Sequence, residues 1–182
     1  MNFRLLGLAC LVANVLATDG IYKQPKVESF AAIDMVVSLP ANTTTPGGMI
    51  SKVPIVSGNI TGRFNGHLVQ NISTSNEAMV PLPLTEGEFS QSDADLIFEN
   101  DNGDRIFASL RGLTTYANMA LHGFGSALLR TDVKEFFWVN KEVFLVEWDA
   151  HFNTGLAQFE FSTITTGGRK DGQPIKAFDP SK

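Results

Sequence analysis

The sequence predicts an all-β protein, a single antiparallel β-barrel with short helical turns only. Three observations lead there. Short runs of alternating apolar and polar residues recur along the chain. Turn-forming residues separate them, and no window past the N-terminal residues carries a helical 3.6-residue period. Closure into a barrel is expected because it removes the exposed edges of an open antiparallel sheet.

The clearest run is Glu142 to Thr165, which reads as a β-hairpin. In its first arm Phe144, Val146, Trp148, Ala150 and Phe152 fall on one side, and Leu145, Glu147, Asp149 and His151 on the other. Asn153-Thr154-Gly155 supplies the turn, with Gly155 free to take positive φ. The return arm places Ala157, Phe159 and Phe161 against Gln158, Glu160 and Ser162. Polar-out alternation is the usual arrangement, so the Phe/Trp side is expected inward. The competing arrangement lines the lumen with Glu147, Asp149, His151, Gln158 and Glu160, where neighbouring groups would shift their pKa values.

Residues 1–17 read as a secretory signal peptide. Arg4 is a short basic region, Leu5 to Leu16 an apolar core, and Val15-Leu16-Ala17 a small-residue cleavage pattern. No later stretch approaches the roughly 18 apolar residues that a membrane helix needs. The chain is therefore expected in the secretory pathway, secreted or lumenal, with no membrane span. The remaining chain divides into an N-terminal segment 18–29, a barrel domain 30–166 and a polar tail 167–182. The only cysteine, Cys10, lies in the signal region, so stability must come from a core, to which 14 Phe contribute. A net charge of -5 argues against a nucleic-acid partner. Sequons at Asn42, Asn59 and Asn71 suggest a glycoprotein, Asn42 lying in apparent loop chemistry up to Gly48.

Phe30 to Leu39 reads as the first strand and Ser51 to Asn65 as a glycine-punctuated second, bent near Gly58 and Gly62. His67 to Gln70 continues it or opens the next strand. Ser73 to Gln91, polar and proline-bearing, reads mostly as loop. Asp93 to Glu99 and Arg105 to Thr115 form a hairpin around Asp101-Asn102-Gly103-Asp104. Tyr116 to Ser126 has no clean period and leaves room for one helical turn. Ala127 to Thr131 is a short strand, and Val133 to Val139 a bulky aromatic passage.

No metal site is expected, since His67, His122 and His151 are far apart and Glu147, Asp149 and His151 spread along one strand. There is no Gly-x-Ser-x-Gly elbow, phosphate loop or dinucleotide fingerprint, and Gly123-Phe124-Gly125-Ser126 reads as a glycine-rich loop. No cofactor is expected.

The run Ala127 to Phe144, with Phe136-Phe137-Trp138-Val139-Asn140-Lys141-Glu142-Val143-Phe144 at its end, resembles the domain of unknown function 3237 family. The hairpin Asn102-Gly103-Asp104-Arg105-Ile106 and the Gly58 to Gly66 region fit the same pattern, so the resemblance covers Phe30 to Thr165. It departs where the family carries Gly-Gly-x-Asp-Trp, because this chain reads His67-Leu68-Val69-Gln70-Asn71. The resemblance implies a small calycin-like barrel. Through its fungal secondary-metabolism branch it also implies a cofactor-free pericyclase, such as a hetero-Diels–Alderase acting on an apolar polyketide or terpenoid. A lipocalin-like carrier of a small hydrophobic metabolite is the alternative, and a homo-oligomer stays open. For a pericyclase, the candidate hydrogen-bond donors are His67, Tyr116, His122 and Arg130, with Phe107 and Trp138 as pocket walls.

Overall fold

The computed structural model describes residues 20–79 and 88–175. The signal-peptide reading of residues 1–17 and the end of the polar tail lie outside the described residues. The chain divides into two units, Pro25–Thr165 and a smaller one made from both terminal segments. In the smaller unit Tyr22 and Arg169 form an antiparallel bridge, and the Lys23 N–H donates to the Gly168 carbonyl at 2.9 Å.

The larger unit holds eleven strands among its described residues. They are β1 (Lys26–Val37), β2 (Ala41–Thr45), β3 (Gly48–Val53), β4 (Ile55–Gly62), β5 (Gly66–Leu68) and β6 (Thr74–Met79). Then follow β7 (Glu88–Glu99), β8 (Arg105–Ala117), β9 (Ala120–Arg130), β10 (Val143–His151) and β11 (Leu156–Thr165). The ring β7-β8-β9-β10-β11-β1-β4-β5 returns to β7 and closes an eight-stranded antiparallel barrel. Along one edge β7 changes partner: Phe98 and Glu99 pair with β5, whereas Ser90 to Asp95 pair with β6. Beyond β6 lie β3 and then β2, a three-stranded flap whose outer strand pairs with β3 alone.

The alternating face that sequence placed inward is inward. Phe144, Val146 and Trp148 are buried, whereas Glu147, Asp149 and His151 are exposed. Trp148 stands opposite Phe159 and Ala150 opposite Ala157, which fixes the hairpin register. Gly155 turns the chain at φ 67°. The acidic side therefore does not line the lumen, whose closed end is packed with aromatic rings. Phe30 meets Phe144 at 5.2 Å, Phe64 meets Phe136 at 5.3 Å, and Phe98 meets Phe161 at 5.4 Å.

Four stretches differ from the sequence reading. The expected loop before Gly48 is the hairpin β2–β3, and Ser51 to Asn65 is two strands parted at Pro54, which offers no N–H to a ladder. Most of the expected loop after Ser73 is β6 and the start of β7. Tyr116 to Ser126 is not helical but a tight hairpin, turned by Asn118 and Met119 at φ 53° and 60°. The only described helix, of the 3-10 kind, takes up Lys134–Lys141, the aromatic passage.

Candidate functional site

A cavity of about 420 Å³ occupies the barrel end remote from the packed Phe cluster. Its apolar walls include Met35, Leu110, Leu121, Trp148 and Phe159. The Trp148 and Phe159 rings are nearly parallel, 5.8 Å apart at 11°. The mouth lies between Ser38-Leu39-Pro40 and the turn after His151. Two backbone bonds hold these segments: Val37 N–H to the Gly155 carbonyl at 2.8 Å, and Ser38 N–H to the Pro54 carbonyl at 3.0 Å.

One side of this cavity is polar. Residues directly opposite in a ladder share a face, and Asn42, Ser51, Glu77 and Ser92 are successive partners across β2, β3, β6 and β7. From Ser51 onward this row is inward: Ser51 and Ser92 are buried, Glu77 is half-buried, and both Glu77 and Ser92 line the cavity, whereas Asn42 at its outer end is exposed. Ser51 Oγ donates to Asn42 Oδ1 at 2.8 Å, and Ser92 is hydrogen-bonded to Thr114.

Glu77 is the centre of a second chain of bonds. The Tyr116 hydroxyl donates to Glu77 Oε2 at 2.6 Å, and Ser90 Oγ lies 2.9 Å from the same hydroxyl. A phenol has one proton, so with Tyr116 donating to Glu77 the fully buried Ser90 donates to Tyr116. Burial pushes the Glu77 carboxyl above the ordinary carboxylate range, and the bond from Tyr116 offsets part of that rise. The Tyr116 ring also stacks on Phe152 at the mouth, 6.0 Å away and 13° from parallel. A carboxyl so placed can donate to, or exchange a proton with, a bound acceptor.

The sequence candidates are scattered. Tyr116 alone reaches this assembly, behind Glu77. His122 is exposed on the outer face, with Nε2 2.7 Å from Glu147 Oε1. His67 is exposed too, 3.6 Å from Glu99, and Arg130 and Phe107 pair across the outer face. Strand parity explains this, since each lies an odd number of residues from an inward neighbour. Trp138 packs at the closed end, 5.6 Å from Phe30, with the Arg63 guanidinium 4.7 Å above its ring. Asn59 and Asn71 are exposed; Asn42, also exposed, sits on β2 rather than in a loop. Among the described residues no three His, Cys, Asp or Glu side chains are grouped as metal ligands would be.

Sequence reasoning missed Glu77, Ser90, Ser92 and Thr114. Parity held the signal. Counting back in twos from Phe98, Leu96 and Ala94 reaches Ser92 and Ser90, and counting on from Leu110 reaches Thr114 and Tyr116.

No known family pattern matches this chain, and no curated protein matches it in sequence. Its fold is similar to solved structures. A protein of unknown function from Clostridium acetobutylicum superposes with TM-score 0.68 at 17% identity, over 78% of this chain and 100% of that one. A beta-barrel like protein from Acinetobacter baumannii gives 0.59 at 13% identity, over 79% and 98%. An enzyme from Penicillium herquei gives 0.54 at 12% identity, over 77% and 96%. At these identities the likeness is one of fold.

Proposed function

We propose that this barrel is a secreted, cofactor-free enzyme that cyclises an apolar polyketide or terpenoid intermediate by a pericyclic, hetero-Diels–Alder type reaction. The cavity carries this reading. It joins an aromatic wall, Trp148 and Phe159, to a hydrogen-bonding strip centred on Glu77. Such a reaction needs no nucleophile. Holding a flexible chain in its reactive fold removes much of the entropic barrier. One donor aimed at a carbonyl that gains negative charge supplies roughly 2.7–4 kcal/mol more. Glu77 in its neutral form is the donor of this proposal, with Tyr116 and Ser90 fixing its direction. The similarity in fold to an enzyme from a fungus is compatible with catalysis.

The test is an assay of purified protein with an ortho-quinone methide precursor and an apolar olefin, read as rate and product ratio against the uncatalysed background. Glu77→Leu and Trp148→Ala are expected to lose the acceleration. Tight binding without any change in rate or stereochemistry would establish a carrier instead. Secretion is tested separately: intact mass from a secreting eukaryotic host should show a chain starting near Thr18 with sugar on at least one of Asn42, Asn59 and Asn71. A sugar-free product retaining Met1 would overturn that part.

A further inference from the structure

We propose that the cavity selects an uncharged, flat ligand carrying a carbonyl acceptor, seated on Trp148 and hydrogen-bonded by the Glu77 carboxyl, and rejects the matching carboxylate. The inference rests on the cavity being the functional site, and it adds what that site accepts. The carbonyl of the ligand occupies the position that faces Glu77; the apolar body lies on the stacked indole and phenyl rings.

The argument is one of charge and shape. Among the described residues that line the cavity, the titratable side chains are Glu77 and the exposed His151 at the mouth, and none is Lys or Arg. A carboxylate drawn inside would leave water for a lining that offers hydroxyl and carboxyl groups but, among the described residues, no Lys or Arg to balance its charge. Desolvating such an anion without a partner is costly. A neutral carbonyl loses little on burial and gains a donor. The groups facing Glu77 are Ser51 from β3, Ser92 from β7 and Tyr116 from β8, with His151 from β10 at the rim. None carries a fixed charge. Tyr116 spends its proton on one oxygen, Oε2, which leaves Oε1 to carry the proton offered to the ligand. Walls of Trp148 and Phe159, nearly parallel, favour a flat body over a branched one.

Three probes separate the terms: naphthyl methyl ketone, naphthoate and ethylnaphthalene, each titrated calorimetrically into the full chain. At a pH below the Glu77 titration, where the acid is neutral, the ketone is expected to bind about tenfold more tightly than the hydrocarbon, the worth of one hydrogen bond. Naphthoate should bind more weakly than both at neutral pH. Glu77→Leu should erase the ketone's advantage, and Glu77→Gln, which keeps a donor, should retain most of it. In the wild type the ketone's affinity should fall as pH rises through the Glu77 titration, while Glu77→Gln stays flat. The infrared carbonyl band of the bound ketone should move to lower frequency in the unaltered protein, a reading that needs no variant to fold. An unshifted band, or naphthoate binding as well as the ketone, overturns the inference while the cavity remains a binding site. If Trp148→Ala leaves all three affinities unchanged, the probes bind elsewhere, and the functional reading of the cavity falls as well.

Discussion

Gly123 stands directly opposite Trp148 across β9 and β10, and a Cβ on Gly123 would lie 2.0 Å from the indole Cε2. Gly112 on the neighbouring strand leaves similar room, its Cβ position 2.6 Å from Cη2 of the same ring. The indole lies over glycine positions of two neighbouring strands, and that is what leaves it room as a wall of the cavity. Gly123→Ala should therefore cost about 1–3 kcal/mol by overpacking, read from denaturant unfolding. A change below about 0.5 kcal/mol would mean that the ring has other room to occupy.

Trp148→Ala should be costlier still, roughly 3–5 kcal/mol, because the ring is only 4% exposed and the space it leaves joins an existing cavity. Chemical denaturation of the variant checks this. A loss under about 1 kcal/mol would show that the indole contributes little packing where it lies.

Glu77 gives a pH signature in stability. Its folded pKa is raised, so the fold favours the neutral acid, and ionisation subtracts stability. The wild type should gain most over Glu77→Gln in acid. That advantage should shrink as pH rises from the ordinary carboxylate range and level off above the raised folded value. Unfolding midpoints of both proteins across pH provide the measurement; an advantage that grows with pH would contradict burial of the acid.

Met119 holds a positive φ of 60° in the β8–β9 turn, a conformation that costs a side-chain-bearing residue about 1–2 kcal/mol. Met119→Gly should relieve it and stabilise the protein by about 1 kcal/mol, since Gly suits this position of such a turn. Thermal unfolding tests it; destabilisation would show that the methionine side chain has a packing role.

His122→Ala should change stability by less than about 1 kcal/mol, because His122 and Glu147 are 61% and 62% exposed and screened by water. Denaturant titration would reveal any larger effect, which would require a contact beyond this pair.

How far the sequence could be read depended on contrast between faces. Where Phe144, Val146 and Trp148 alternate with Glu147 and Asp149, the period of two is plain, and hairpin, register and inward face were all legible. In the first four residues of β6 both faces are polar: Ser75 and Glu77 look into a cavity, Thr74 and Asn76 away from it. A strand with no apolar face resembles a loop. The same holds for β2, whose residues from Asn42 to Thr45 are all polar. In β9 the inward positions Gly123 and Gly125 carry no side chain at all, so alternation disappeared where Trp148 needed space. The closed end of the barrel was thus readable from hydrophobicity. The open end, where the candidate site lies, was hidden by the very residues that make it.

The flap of β2, β3 and β6 contributes no side chain to the buried apolar core formed by the described residues. Its strands are held by ladder bonds to β7 and by the hydroxyl row, while the neighbouring ring is fastened by rings and aliphatic groups. Such a segment unfolds locally at lower free energy than the rest. Its amides should exchange with solvent hydrogen sooner than those of β9 and β10. Glu77 lies on β6, so the acid group sits in a part of the sheet held by ladder and hydroxyl bonds rather than by apolar packing. Local unfolding of β6 would part Glu77 from Tyr116, so exchange of the β6 amides and loss of that hydrogen bond are expected to share one opening event.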